Sequence, residues 1–180
     1  MPQKAMRRLL LLRHAKAERS APGASDHERA LIERGSIDAA KIGAYMAGHA
    51  LTPDRVLVST ATRCQQTWKA ASGAFKPVPA AASTAKLYDA TPQTILVVIK
   101  DAPAAAHSLL IVGHNPGLHE LALLLIASGD VDTRERLREQ LPTSGLVVID
   151  FAFDDWNRLH PRCGRLERFV SPKSLERSDG

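Results

Sequence analysis

The sequence holds only two cysteines, Cys64 and Cys163, and neither belongs to a CxxC pair or a Cys/His cluster. That excludes a thiolate zinc site and a disulfide framework, and it fits a reducing, cytoplasmic setting. Long apolar runs are missing too. Runs such as residues 9–12 and 121–126 fall far short of the ~20 residues that a membrane-spanning helix needs, so no membrane role is expected. Although the start is basic, the run at 9–12 is too short for a signal-peptide core and leads straight into Arg13 and His14, so export is not expected. Aromatic residues are scarce, with four Phe, two Trp and two Tyr, and the net charge of +5 comes from Lys and Arg that form no stripe. Nucleic-acid binding therefore lacks both its stacking platforms and its phosphate track. A phosphate-bearing substrate would use the same basic surplus locally.

What is present is enough apolar sequence, 44% of 180 residues, for one sizeable core. A single domain over 1–180 is expected, with a basic lead-in at about 1–7 and a polar tail at about 174–180. Residues 8–12 read as a buried strand that stops abruptly in polar residues. Residues 17–34, with Pro22 and Gly23, read as a long surface loop. The spacing of Ile37, Ala40, Ala44, Ala47 and Leu51 predicts a helix from Ser36 that stops near Gly48. A second strand at 55–58 leads to a helix with Cys64, Trp68, Ala71 and Phe75 inward, and Ser59, Thr60 and Thr62 are its candidate caps.

The pattern then repeats. Thr91 and Pro92 open a helix with Ile95, Leu96 and Ile99 inside, residues 108–112 form a third strand, and Asn115 and Pro116 open a helix with Leu118, Leu121, Ala122 and Leu125 inside. Residues 130–140 are a solvated helix, 146–153 a fourth strand and 166–170 a short last one. This alternation predicts an α/β layered domain with a mostly parallel central sheet flanked by helices.

Three of these strands are followed closely by a cationic or imidazole side chain: Arg13 and His14 after the first, Arg63 after the second, His114 after the third. Each alone has a bland explanation as a surface charge or a satisfied histidine. Together they are harder to dismiss, because loops at the carboxyl ends of parallel strands share one crevice. Two guanidiniums, two imidazoles and helix N-termini in one crevice suit a dianionic phosphoryl group.

The motifs at these positions resemble a known family. Leu-Leu-Arg-His-Ala-Lys-Ala at 11–17 resembles the Arg-His-Gly signature of the histidine phosphatase superfamily, which includes the phosphoglycerate mutases. Ser-Thr-Ala-Thr-Arg-Cys-Gln-Gln-Thr at 59–67 resembles its Ser-Pro-x-x-Arg-x-x-x-Thr motif. Gly-His-Asn-Pro-Gly at 113–117 and Leu-Pro-Thr-Ser-Gly at 141–145 look like the SixA branch of phosphohistidine phosphatases. The resemblance implies a phosphoglycerate mutase-like fold. It implies His14 as covalent nucleophile, Arg13, Arg63 and His114 as phosphoryl-binding groups, and no metal or other cofactor. The implied substrate is phosphohistidine on a carrier or signalling protein.

The sequence departs from the pattern at Ala15, where the family has glycine, and at Thr60, where it has proline. No glutamate stands where larger members keep a general acid. Asp89, in Leu87-Tyr88-Asp89, is the candidate, with a turn residue as its competing reading, and Glu18 and Asp26 are further candidates. Other readings stay open: a small-molecule phosphomonoesterase or mutase, or a non-catalytic phosphate-binding module. A metal site through His114 and His119 is disfavoured, since positions i and i+5 do not share a helix face. His27, His49, His107 and His160 have no motif context and are expected to be surface or structural. Oligomeric state is not legible in the sequence.

Overall fold

The computed structural model describes residues 6–178. Its spine is β1 (Arg7–Arg13), whose unbroken apolar run is buried on both faces, as a central strand requires. Six further strands complete one sheet: β2 (Arg55–Ser59), β3 (Ala80–Thr84), β4 (Ser108–Gly113), β5 (Ile126–Gly129), β6 (Leu146–Phe151) and β7 (Gly164–Val170). Their order across the sheet is β3-β2-β4-β1-β6-β7-β5. β3, β2, β4 and β1 run parallel, β6 is antiparallel to both β1 and β7, and β5 pairs parallel with β7. The expectation of a mostly parallel α/β sheet holds.

Because side chains alternate across a strand, each central strand feeds two cores. Leu9, Leu11, Leu109, Ile111, Val147 and Ile149 face α3 (Pro92–Lys100) and α4 (Gly117–Leu125). Leu10, Leu12, Val56, Val58, Leu110 and Val112 face α1 (Glu33–Gly48) and α2 (Thr62–Ser72). Two further helices, α5 (Val131–Glu139) and α6 (Pro172–Ser178), complete the fold. Among the described residues, no helix is long and apolar enough to cross a membrane.

The structure departs from the sequence reading in several places. The inner face of α1 is Ala39, Ile42, Gly43 and Met46 rather than Ile37, Ala40 and Ala44, and Ile37 is 46% exposed. Glycine decides the rotation: a Cβ on Gly43 would lie 2.2 Å from the carbonyl of Ala71, so only a bare glycine lets α1 approach α2 this closely. None of Ser59, Thr60 and Thr62 caps α2, whose N-cap position is Ala61 with no side-chain bond. Asn115 does not cap α4 either, since Pro116 holds that position. Thr91 does cap α3, accepting from the Thr94 amide. β3 and β5 escaped the sequence reading altogether. Arg7, counted with the lead-in, starts β1 and is buried; residues 1–5 of that lead-in lie outside the described residues. The expected tail is helical through Ser178, and residues 179–180 lie outside the description.

Candidate functional site

Parallel order brings the carboxyl ends of β1, β2 and β4 side by side, and the four residues singled out by sequence lie at or just beyond them. Arg13 pairs with Gly113 at the end of the β1–β4 ladder. His14 and His114 follow, with ring centroids 5.3 Å apart. Arg63 enters from the first turn of α2 and reaches His114, its Nη2 standing 3.3 Å from Nδ1.

The backbone that carries His14 is pinned from all sides. Its amide donates to the Gly113 carbonyl at 3.0 Å, and the Arg13 amide donates to Gly145 at 3.1 Å. The Ser144 amide donates to the carbonyls of Arg13 and His14 at 3.1 and 3.2 Å. To reach them, Ser144 adopts a left-handed φ of 58°, a strained conformation of the kind found at functional sites. Gly145 is needed beside it, because a Cβ there would meet Leu141 Cδ1 at 2.7 Å and the Pro142 carbonyl at 2.8 Å. Residues 141–145 thus form a clamp on the residues that begin the site. The Ala15 amide donates to Thr67 Oγ1 at 2.9 Å, and that hydroxyl donates to the Arg63 carbonyl, which links the two motifs.

Within this frame His14 Nδ1 lies 2.8 Å from the Ala15 carbonyl. A carbonyl only accepts, so Nδ1 carries the proton and Nε2 keeps its lone pair. Burial, helped by the positive charges of Arg13 and Arg63, lowers the ring from its ordinary 6.5 to about 3, so it is neutral at pH 7. His114 is buried. Its Nδ1 accepts from Arg63, so its Nε2–H donates to Ser59 Oγ at 2.8 Å. Burial first, and then the Arg63 charge, lowers this ring to about 4. Cys64 Sγ lies 3.5 Å from the same nitrogen, and burial pushes its thiol up to about 12, which leaves it inert. The Arg13 guanidinium donates to the Leu141 carbonyl at 3.1 Å, a carbonyl it shares with Asn115 Nδ2. Among the described residues, the buried Nε–H groups of Arg13 and Arg63 have no hydrogen-bond partner.

The candidate acids fare differently. Asp89 is exposed and takes a left-handed φ of 51° directly after Tyr88, the backbone of a turn residue. Glu18 is exposed and is held by its backbone, the carbonyl accepting from Arg29 Nη1 at 2.6 Å and the amide donating to the Ala30 carbonyl at 2.9 Å. Asp26 does reach the site, as an ion-pair partner of Arg63 at 3.2 Å. The Tyr88 hydroxyl, then Arg29 and Arg63, hold its carboxyl down at about 2, so it has no proton to give near neutral pH.

Sequence reasoning missed Tyr88 and Ser59 as site residues. The Tyr88 ring stands edge-on to His114 at 5.5 Å and to His27 at 4.8 Å. His27, expected to be incidental, borders the site and bonds Thr60 Oγ1 through Nε2 at 2.8 Å. The hints in the sequence were that Ser59 opens the motif at 59–67 and that Tyr88 precedes Asp89. His119 lies apart, its Nε2 donating to the Leu137 carbonyl at 2.6 Å.

Comparison with known proteins agrees with this geometry. The sequence pattern of the histidine phosphatase superfamily (branch 1) matches residues 9–87. An uncharacterized protein of Mycobacterium tuberculosis is 36% identical over 164 residues, which span 90% of this chain and all of that one. Among solved structures, a protein of Agrobacterium tumefaciens named as a candidate phosphohistidine phosphatase SixA is 35% identical, with a TM-score of 0.77 over 92% of this chain and 98% of that one. A similarly named SixA of Nakamurella multipartitia is 26% identical, with a TM-score of 0.80 over 93% and 96% of the two chains.

Proposed function

The chain belongs to the histidine phosphatase superfamily, and on that premise we propose that it is a phosphatase that removes the phosphoryl group from phosphohistidine on a carrier or signalling protein. The observation that carries this reading is the state of His14: neutral, with Nδ1–H fixed on the Ala15 carbonyl and a lone pair on Nε2. A weakly basic, correctly oriented imidazole beside two guanidiniums is equipped for covalent phosphoryl transfer.

In the first step, with the substrate ring protonated on its other nitrogen, His14 Nε2 forms a bond to phosphorus while the bond from phosphorus to the substrate ring breaks, and the substrate departs as neutral imidazole with no proton needed at the departing nitrogen. In the second step water attacks phosphorus, the bond to Nε2 breaks, and inorganic phosphate leaves as His14 regains its lone pair. Arg13 and Arg63 neutralise charge on the equatorial oxygens, so the reaction runs without a metal ion or other cofactor. A protein-borne phosphohistidine is favoured over a phosphoester because Asp26, the carboxylate at Arg63, is ionised. Imidazole, with a pKa of ~6.5, leaves without a strong acid, and an alkoxide does not. Two free cysteines suit work in the cytoplasm.

A substrate panel assayed in chelator tests the reading. It should include a phosphohistidine-bearing carrier protein, a sugar phosphate and a phosphoserine peptide. The highest kcat/KM is expected on phosphohistidine. Preference for the sugar phosphate would make the protein a phosphomonoesterase of the same superfamily, and failure on all three would leave a phosphate-binding module.

A further inference from the structure

A guanidinium offers two edges for bidentate contact: the end, formed by Nη1 and Nη2, and the side, formed by Nε and Nη2. In Arg63 the end is occupied by Asp26. Nη1 donates to the Asp26 carbonyl at 2.8 Å and Nη2 to Oδ2 at 3.2 Å. The side edge is what remains. Its Nε–H is buried without a partner among the described residues, and its Nη2 also meets His114 Nδ1.

Asp26 is itself held. The Tyr88 hydroxyl donates to the same Oδ2 at 2.5 Å, and Arg29 Nε donates to Oδ1 at 2.9 Å. Arg29 also donates to the Glu18 carbonyl, and the Glu18 amide donates to Ala30, so the loop closes on itself. The isolated bridge between Ala17 and Leu31 cinches its base. Tyr88 is wedged between the two, its ring 6.0 Å from the Arg63 guanidinium carbon and 5.5 Å from His114.

A carboxylate 3.2 Å from a guanidinium meant for a dianion is costly by charge alone, since it partly neutralises that cation and would repel a dianion bound to the other edge. Geometry supplies a reason to keep it. We propose that Asp26 is a positioning residue that grips the end of Arg63 and so commits the Nε and Nη2 edge to the phosphoryl oxygens, remaining in place when they bind. The inference rests on the phosphoryl-site reading given above. The opposite role is that of a built-in competitor, an anion that occupies Arg63 until substrate displaces it.

The two roles predict opposite signs. The measurement is the affinity for orthovanadate, by calorimetry, of the parent, Asp26→Asn, Asp26→Ala and Tyr88→Phe. Asn keeps both acceptors for Arg63 and removes the repulsion, so Asp26→Asn should bind at least as tightly as the parent. Asp26→Ala removes the same charge but loses the side-chain grip, so it should bind about tenfold more weakly, the scale of one charge-assisted hydrogen bond. On a phosphohistidine protein, the Ala variant should also lose kcat while the Asn variant keeps it. Alanine binding as tightly as the parent, or tighter, overturns the proposal. If Asp26→Ala does not fold, Tyr88→Phe decides: a loosened positioner weakens oxyanion binding, whereas a loosened competitor strengthens it. A parent that binds no oxyanion at all overturns the phosphoryl-site reading itself, and this proposal with it.

Discussion

Arg63 Nη2 stands 3.3 Å from His114 Nδ1, and because a guanidinium can only donate, this contact makes Nδ1 the acceptor. A phosphoryl dianion on the side edge of Arg63 would face that lone pair. The ring can face it favourably only with a proton on Nδ1, carried either by the other neutral tautomer with the Ser59 hydroxyl donating to Nε2 or by imidazolium, and the dianion's charge favours the imidazolium, so ligand binding and protonation of His114 are coupled. In the free protein the His14 and His114 ring signals should therefore hold still in NMR titrations between about pH 7.5 and 5. Saturating orthovanadate should move His114 toward imidazolium near neutrality. An unmoved His114 signal in the complex would show that it does not donate to the oxyanion.

Arg63 serves two anions at once, the Asp26 carboxylate at its end and the proposed phosphoryl group at its side. A lysine at this place keeps the charge but has a single rotating ammonium, which cannot hold two fixed edges. Arg63→Lys should lose about 10²-fold or more in kcat, similar to the removal of one preorganised transition-state donor, and His114→Ala should lose about 10²- to 10³-fold. Near-parental turnover by the lysine variant would reduce Arg63 to a source of charge.

Acid should destabilise the fold through the same histidines. His14 and His114 are lowered from 6.5 to about 3 and about 4 by burial, so below 6.5 the unfolded rings bind protons that the native rings refuse. Their contribution is fully present above pH 6.5 and is lost as pH falls toward 4 and then 3. Melting temperatures across that window should fall steeply for the parent and less steeply for His114→Gln. Parallel curves would contradict the buried, neutral state of His114.

Much of this was legible from sequence, for identifiable reasons. The apolar runs of β1, β2 and β4 are continuous because those strands are buried on both faces, and a crevice at their ends follows from parallel order, so Arg13, His14, Arg63 and His114 could be placed together. β3 was hidden because its Ala-Ala-Ala-Ser-Thr sequence lies at the sheet edge and carries no apolar signal. β5 was hidden because its four residues follow α4 without a break. The face of α1 was misread because alanines mark no side strongly, whereas the close approach of Gly43 to Ala71 is a tertiary fact. The role of Asp26 was equally invisible, since it depends on Tyr88, 62 positions away.

The central claim is that His14 carries the phosphoryl group as a covalent intermediate. With labelled phosphohistidine protein and a rapid quench, the parent should hold an acid-labile, base-stable phosphoryl group, as expected of a phosphorus–nitrogen bond. His14→Ala should retain the fold, because the side chain lies in a loop beyond β1 and outside both apolar cores. It should show neither label nor turnover. A folded His14→Ala protein that still turns over at near-parental rate would contradict the account at its root.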